Sequence, residues 1–176
     1  MKRNPFFFAI VIAFAVMATF DAVAQTPKLN DAEIASVAVT ANQIDIDYAK
    51  IAVAKSKNDQ VVSFAKTMMA DHQAVIDQAV ALVTKLKVTP MDNDVSKKLN
   101  ADAETTRKKL NEKSAKDFDK AYIDNEVSYH KAVISTVENV LIPQAQNAEL
   151  KALLQKVLPT LKTHLEHAEM VQKSLK

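Results

Sequence analysis

The apolar residues that follow residue 28 recur at alternating intervals of three and four, which is the period of a helix and not of a strand. The first helix has a clear start, because Asn30 suits the cap position, Glu33 can reach back to it and Leu29 can pack against Ile34. A polar turn near residues 57–59 ends this helix. Its apolar stripe contains Ile34, Val37, Ala41, Ile44, Tyr48 and Ile51.

Three further helices have equally regular stripes, and each stripe includes one histidine. Pro143 is predicted to end the fourth helix and Pro159 to kink the last, because proline removes a backbone donor. The stripes are Val61, Ala65, Met68, His72, Val75, Ala79, Leu82 and Leu86 in the second helix; Ile123, Val127, His130, Ile134, Val137 and Leu141 in the fourth; and Leu150, Leu154, Val157, Leu161, His164, Ala168, Val171 and Leu175 in the last.

A more polar helical segment lies between the second and fourth helices. Pro90 and residues 92–94 separate it from the second helix, and the fourth helix begins around Phe118. The weak apolar stripe within residues 95–110 predicts a helix on the outside of the protein. Two tight hairpins joined by a segment of about 28 residues predict an all-α, ferritin-like four-helix bundle with an additional crossover helix. A simple up-and-down bundle is the alternative.

The first 24 residues have the pattern of a cleaved signal peptide. Lys2 and Arg3 precede an apolar run at residues 6–20, and Ala22 and Ala24 supply the small residues that signal peptidase accepts. The run falls short of the roughly 20 residues that a spanning helix needs, which disfavours an uncleaved membrane anchor. We therefore expect cleavage after Ala24, export to the periplasm, and a single helical-bundle domain over residues 25–176 with no stable membrane span.

Composition narrows the range of functions. The 23 basic and 21 acidic residues nearly cancel, so a nucleic-acid-binding surface is not expected. The chain has no cysteine, which excludes disulfides, thiolate metal sites and a lipidated cysteine anchor. It also has no glycine, and this excludes the glycine-rich loops that bind phosphate groups.

Three of the four histidines occupy stripe positions. His72 and His130 each lie about fourteen residues, roughly 21 Å, from their own turns, so their rings are expected to face each other in mid-bundle. His164 is expected one or two helical turns off that level, near the height of Glu126. Burial keeps imidazole in the neutral form that binds metal ions. His72, His130 and His164, with Glu126 as an optional oxygen ligand, therefore form a candidate site for a transition metal ion.

Other interpretations remain open for these residues. Each histidine could be a core residue that hydrogen bonds to a tyrosine or carboxylate, in a structural or interaction protein of the cell envelope. An enzyme is not favoured, because the stripes force no two carboxylates together and Asp71 is expected on a solvent-facing side. A di-metal oxidase is disfavoured as well, because Met69 and Leu161 stand where a carboxylate should precede His72 and His164 by three residues.

Three stretches, in their order and spacing, resemble a family of exported bacterial ferritin-like proteins known as domain of unknown function 4142. They are Phe64-Ala65-x-x-Met68 with Asp71-His72, Phe118-Asp119-x-x-Tyr122 with His130, and Leu158-Pro159-x-Leu161-x-x-His164-Leu165. The resemblance covers the whole mature chain and implies the bundle fold, export to the periplasm and a pattern that includes all three stripe histidines, but no reaction. We expect a non-catalytic binding or envelope-stress protein, with an envelope protein partner or a homo-oligomer as its assembly.

Overall fold

The computed structural model describes residues 27–175, and this part of the chain contains helices and no strand. The predicted signal peptide lies outside the described residues. The elements are α1 (Asp31–Lys55), α2 (Asp59–Leu86), α3 (Asp94–Glu112), α4 (Ala115–Thr136), a π-helical segment (Val137–Leu141), α5 (Ile142–Gln144) and α6 (Ala148–Ser174). The all-α prediction is therefore confirmed for the described residues.

Asparagine caps explain where the main helices begin. Asn30, Asn58, Asn93 and Asn147 each accept hydrogen bonds from backbone N–H groups in the first turn of α1, α2, α3 and α6. Asn30 and Glu33 form the predicted reciprocal capping box. These local signals are strong because each uncapped helix start leaves backbone donors without a partner.

The helix order is that of a bundle with a crossover. We call the end at which α1 and α6 begin the lower end. The Met91 backbone N–H donates to Ala32 at the lower end, and Lys55 Nζ donates to the carbonyl of Leu110 at the upper end, so α3 runs parallel to α1. Gln144 Nε2 donates to the carbonyl of Pro27, which brings the end of α5 back to the lower end. Helices α2 and α4 therefore run in the same direction, so the crossover prediction is correct and the simple up-and-down bundle is wrong.

Two hydrophobic clusters fill the interior above and below one level of the bundle. The upper cluster contains the buried aromatic rings of Phe64, Phe118 and Tyr122. The lower cluster is aliphatic and draws on α1, the π segment, α4 and α6, with residues such as Ile34 and Leu154. Helix α1 is buried on more than one face because α3 covers it from outside, as its weak stripe predicted. The predicted histidines lie at the level between the two clusters.

The two prolines of the second hairpin both lie within helical segments. The fourth helix runs through the π segment into α5 and ends at Gln144, one residue after Pro143. Helix α6 continues through Pro159 to Ser174, and the kink expected at Pro159 stays a prediction. Among the described residues, none of the helices combines the length and the apolar character that crossing a membrane requires.

Candidate metal centre

Helices α2, α4 and α6 bring three buried imidazole rings to one level. The ring centroids of His72 and His130 lie 5.7 Å apart, and His164 lies 5.1 Å from His72 and 5.5 Å from His130. The predicted facing of His72 and His130 is therefore correct. The predicted offset of His164 is wrong, because the count began at Gln144, whereas α6 begins at Ala148 after a loop at residues 145–147. His164 therefore lies 16 residues from the start of its helix, close to the fourteen that separate His130 from Gln144.

The surroundings of His72 assign its tautomer. Asn42 Nδ2 donates to the backbone carbonyl of Ala38 at 2.8 Å, which turns Asn42 Oδ1 toward His72. His72 Nδ1 lies 2.7 Å from that oxygen and must therefore be the donor. Its other nitrogen, Nε2, is left with a lone pair that is directed into the protein interior.

His130 and His164 are oriented in the same way. His130 Nδ1 donates to the backbone carbonyl of Glu126 at 3.0 Å, which leaves Nε2 with a lone pair. His164 Nε2 donates to Asp71 Oδ2 at 2.9 Å, which leaves Nδ1 with a lone pair. Asp71 is half exposed, in agreement with the solvent-facing side expected for it, but its carboxylate also reaches across to α6. Each histidine thus has one nitrogen fixed by a neighbour and one nitrogen free to bind.

Asp45 of α1, which the sequence analysis did not select, completes the group. Its carboxylate is fully buried, and Oδ2 lies 3.5 Å from His72 Nε2 and 3.7 Å from His130 Nε2. The signal was present, because Asp45 lies four residues after Ala41 and three before Tyr48, at the spacing of the helical stripe. The predicted stripe contains the neighbouring Ile44 instead of Asp45. Both residues are buried, because α1 is enclosed on two faces.

Glu126 lies beside Asp45 and not among the free ring nitrogens. Its Oε2 is 3.7 Å from His130 Nδ1, the nitrogen already hydrogen bonded to the Glu126 backbone carbonyl. Burial raises the pKa of Asp45 to about 7, and burial together with the nearby Asp45 charge raises the pKa of Glu126 well above its usual range. The expectation that no two carboxylates are forced together is therefore wrong, because both helices turn one toward the same interior point.

Burial also keeps the three imidazoles neutral. It lowers the pKa of His130 to about 4 and lowers the pKa of His72 well below its usual value, where the neighbouring histidines act in the same direction. The pKa of His164 is lowered by burial as well, although its hydrogen bond to Asp71 opposes that shift. Neutral imidazole is the form that binds metal ions.

The buried histidine and carboxylate side chains have polar atoms without a partner, and nearly all of these atoms are hydrogen-bond acceptors. Within residues 27–175, His72 Nε2, His130 Nε2, His164 Nδ1, both Asp45 carboxylate oxygens and Glu126 Oε2 are buried without a hydrogen-bond partner. One ligand atom from each of the three histidines fits within 4.8 Å, as does one from each of Asp45, Glu126 and His130. A proton on Asp45 could satisfy one imidazole lone pair and would leave the other two without a donor.

The separations suit a small cation. In a tetrahedral zinc site with bonds of about 2.0–2.1 Å, neighbouring ligand atoms lie roughly 3.3 Å apart. The distances from Asp45 Oδ2 to the free nitrogens of His72 and His130 are 3.5 and 3.7 Å, only slightly longer. Three imidazole nitrogens and one carboxylate oxygen are a donor set that zinc, copper, iron and nickel accept.

Comparisons with known proteins give a family and no chemistry. A family model described as "Domain of unknown function (DUF4142)" matches residues 18–171. No curated protein and no solved structure matches the chain. The family description names no reaction, ligand or partner.

Proposed function

We propose that this chain, which belongs to the DUF4142 family, binds one divalent transition metal ion through His72, His130, His164 and Asp45. The observation that carries this proposal is the convergence of acceptor atoms. Three imidazole nitrogens lie within 4.8 Å of one another, and Asp45 Oδ2 lies 3.5 and 3.7 Å from two of the histidines. These buried atoms have no hydrogen-bond partner in the protein, which is costly. A bound cation would give the three histidine nitrogens and the Asp45 oxygen a partner. Protons on Asp45 and Glu126 could not do so for all of these atoms.

The groups around the four ligands support the same assignment. Metal-binding histidines usually donate their second ring nitrogen to a carbonyl or carboxylate, which fixes the ring and its tautomer. Asn42, the Glu126 backbone carbonyl and Asp71 occupy these three positions for His72, His130 and His164 respectively. The rings are thus held in a binding orientation by protein contacts alone.

Asp45 and Glu126 have different parts in this proposal. Asp45 is the carboxylate ligand, because its Oδ2 lies close to two of the free nitrogens. Glu126, which the sequence suggested as an optional oxygen ligand, stands behind Asp45 and on the hydrogen-bonded side of His130. It lies beside the Asp45 carboxylate and would add a second oxygen for an ion that prefers more ligands than zinc.

We also propose that the protein acts after export. The support is the sequence pattern before Gln25, in which two basic residues, an apolar run and the small residues Ala22 and Ala24 follow one another. N-terminal sequencing of protein from a periplasmic fraction tests this proposal. A mature chain that begins at Gln25 supports it, and a chain that begins at Met1 in the cytoplasm contradicts it.

Metal analysis of the purified protein tests the metal site directly. We expect about one zinc or similar ion per chain after purification or after incubation with one equivalent of metal. The variant with His72, His130 and His164 all changed to alanine should retain none. His167→Ala is the matched control, because His167 also lies in α6 but packs against Phe64 in the upper cluster. If the native protein is folded but takes up no metal, the metal proposal is contradicted and the three histidines have a structural role.

A further inference from the structure

The protein has an internal cavity that leads away from the candidate metal centre. Its volume is about 360 Å³, which lies in the range of small-molecule sites. His72, His130, His164 and Asp45 all contribute to its wall at one end. The other end lies among the aliphatic residues of the lower half, down to Leu150 at the start of α6.

The cavity exists because α2 packs less closely in the lower half. In the upper half, α2 buries Val61, Phe64 and Met68 completely. Past His72, only Ala79 is buried, and the apolar residues around it are partly exposed although they line the cavity. These partly exposed residues are Val75, Ile76, Leu82 and Val83.

The residues that line the cavity show that it extends along the bundle. Its wall follows α6 from Leu150 to His164, fourteen residues that correspond to roughly 21 Å of helix. A volume of about 360 Å³ distributed over that length suits one extended aliphatic chain better than a compact ring system. The wall also includes the exposed Asp102 in α3 and Ser128 and Ala132 in α4, so the cavity reaches the surface between these two helices.

The chemistry of the inner end selects the head group. An ion such as zinc accepts a fifth ligand, and a carboxylate oxygen is one of its usual donors. A molecule with an apolar chain and a single carboxylate therefore matches both ends of the cavity.

We propose that the cavity binds a long-chain monocarboxylate, with its aliphatic chain between α2 and α6 and its carboxylate at the His72, His130 and His164 end. The choice of head group rests on the proposed metal site, whereas the choice of an aliphatic chain rests on the cavity alone. The two parts can therefore be tested separately.

Calorimetric titration of zinc-loaded protein with octanoate, decanoate and dodecanoate tests the chain. We expect the affinity to rise about fourfold for each added methylene group, as the burial of a methylene predicts. An affinity that does not depend on chain length overturns the proposal. Dodecanol and zinc-free protein test the head group, and each should bind at least about tenfold more weakly than dodecanoate with zinc-loaded protein. Equal affinities would show that the carboxylate does not lie at the metal.

Ala79→Phe tests the position of the chain. Ala79 is buried in the cavity wall seven residues, roughly 10 Å, beyond His72, so a phenyl ring there should abolish dodecanoate binding and leave zinc content unchanged. Val80→Phe is the control, because Val80 is about half exposed and does not line the cavity. Undiminished binding by Ala79→Phe overturns the proposal, and Ala38→Phe repeats the test from α1 if that variant does not fold.

The metal assay distinguishes this proposal from the proposed function. If the protein takes up no zinc, the metal proposal fails, and the same titrations still decide on the cavity. Chain-length-dependent binding that Ala79→Phe removes would then support an aliphatic ligand in the cavity whose head group is not bound to a metal ion. If such binding is absent as well, the cavity proposal is overturned in addition to the metal proposal.

Discussion

His164 and Asp71 form a hydrogen bond of 2.9 Å from Nε2 to Oδ2, which joins α6 to α2 and turns His164 Nδ1 toward the interior. Changing Asp71 to alanine frees the ring to rotate and to change its tautomer. Loss of such an orienting group typically costs 10–100-fold in metal affinity. We therefore expect Asp71→Ala to bind zinc roughly 10–100-fold more weakly in a competition titration with a chelator.

Two further variants separate orientation from charge at this position. Asp71→Asn keeps an oxygen that accepts from His164 Nε2, so it should recover most of the affinity lost in Asp71→Ala. Asp77→Ala, at a surface position of the same helix, should bind zinc like the unchanged protein. If Asp71→Ala also kept full affinity, the hydrogen bond would have no part in orienting the ring.

Asp45 and Glu126 are expected to respond differently to amide substitution. Asp45→Asn replaces a ligand oxygen that lies 3.5 Å from His72 Nε2, and it should weaken zinc binding more than the roughly 10–100-fold cost of losing an orienting group. Glu126→Gln keeps the shape behind Asp45 and should remain within that range. Competition with a chelator on both purified variants measures which substitution weakens zinc binding more. A larger loss in Glu126→Gln would make Glu126 the carboxylate ligand.

The helical architecture could be predicted from the sequence, because helix caps and apolar stripes are local patterns that recur along the chain. Asparagine caps at Asn30, Asn58, Asn93 and Asn147 mark four helix starts, and the stripes identify the faces that meet. The π segment Val137–Leu141 was not predictable, because no residue in it differs from those of an ordinary helix. The height of His164 was misjudged for a different reason, because α6 begins at Ala148, after the Asn147 cap, and not at Gln144.

The histidines were predictable and the carboxylates were only partly so. An imidazole in an apolar stripe stands out, whereas Asp45 lies beside Ile44 on a helix that is buried on two faces. One amphipathic stripe cannot describe such a helix, and only the packing of α3 over α1 shows that the second face is interior. Asp71 was missed for a related reason, since a residue at the edge of the buried face can reach a neighbouring helix while remaining half exposed.

Metal binding should raise thermal stability if the site forms only in the folded chain. A free zinc concentration of 100 times Kd contributes about 2.7 kcal/mol, which corresponds to an increase in Tm of roughly 5–10 °C for a protein of this size. Differential scanning calorimetry with and without zinc measures this increase. His72→Ala should show none, while His167→Ala should respond like the unchanged protein.

The end of α2 offers a stability prediction that is independent of the site. Lys87 adopts a left-handed backbone conformation with φ of 53°, the position at which glycine usually follows a helix. A residue with a Cβ pays roughly 1–2 kcal/mol there, so Lys87→Gly should raise the free energy of unfolding by about 1 kcal/mol in urea titrations. Ala81→Gly, at an exposed position inside α2, should lower it by about the same amount. Two equal losses would contradict the assigned backbone conformation.

The buried acid and the buried imidazoles of the zinc-free protein oppose each other between about pH 4 and pH 7. The folded pKa of Asp45 is raised to about 7 from 3.8, so its contribution to stability is complete below pH 3.8 and is lost as the pH rises to about 7. The folded pKa of His130 is lowered to about 4 from 6.5, so its contribution is complete above pH 6.5 and is lost as the pH falls toward 4.

Asp45→Asn separates these two effects, because it removes the carboxyl and leaves the imidazoles. In the presence of a chelator, the variant should be more stable than the unchanged protein at pH 8, by up to about 4 kcal/mol, since a shift of one pKa unit corresponds to 1.36 kcal/mol. That advantage should become small near pH 4 and disappear below pH 3.8, because Asp45 is protonated in the folded chain at pH 4 and is close to half protonated in the unfolded chain. Urea titrations at both pH values measure the difference, and Asp77→Asn at the surface should show none. An Asp45→Asn protein that is less stable than the unchanged protein at pH 8 would mean that a cation or donor still neutralises Asp45, and the assignment of a costly buried carboxylate would then be wrong.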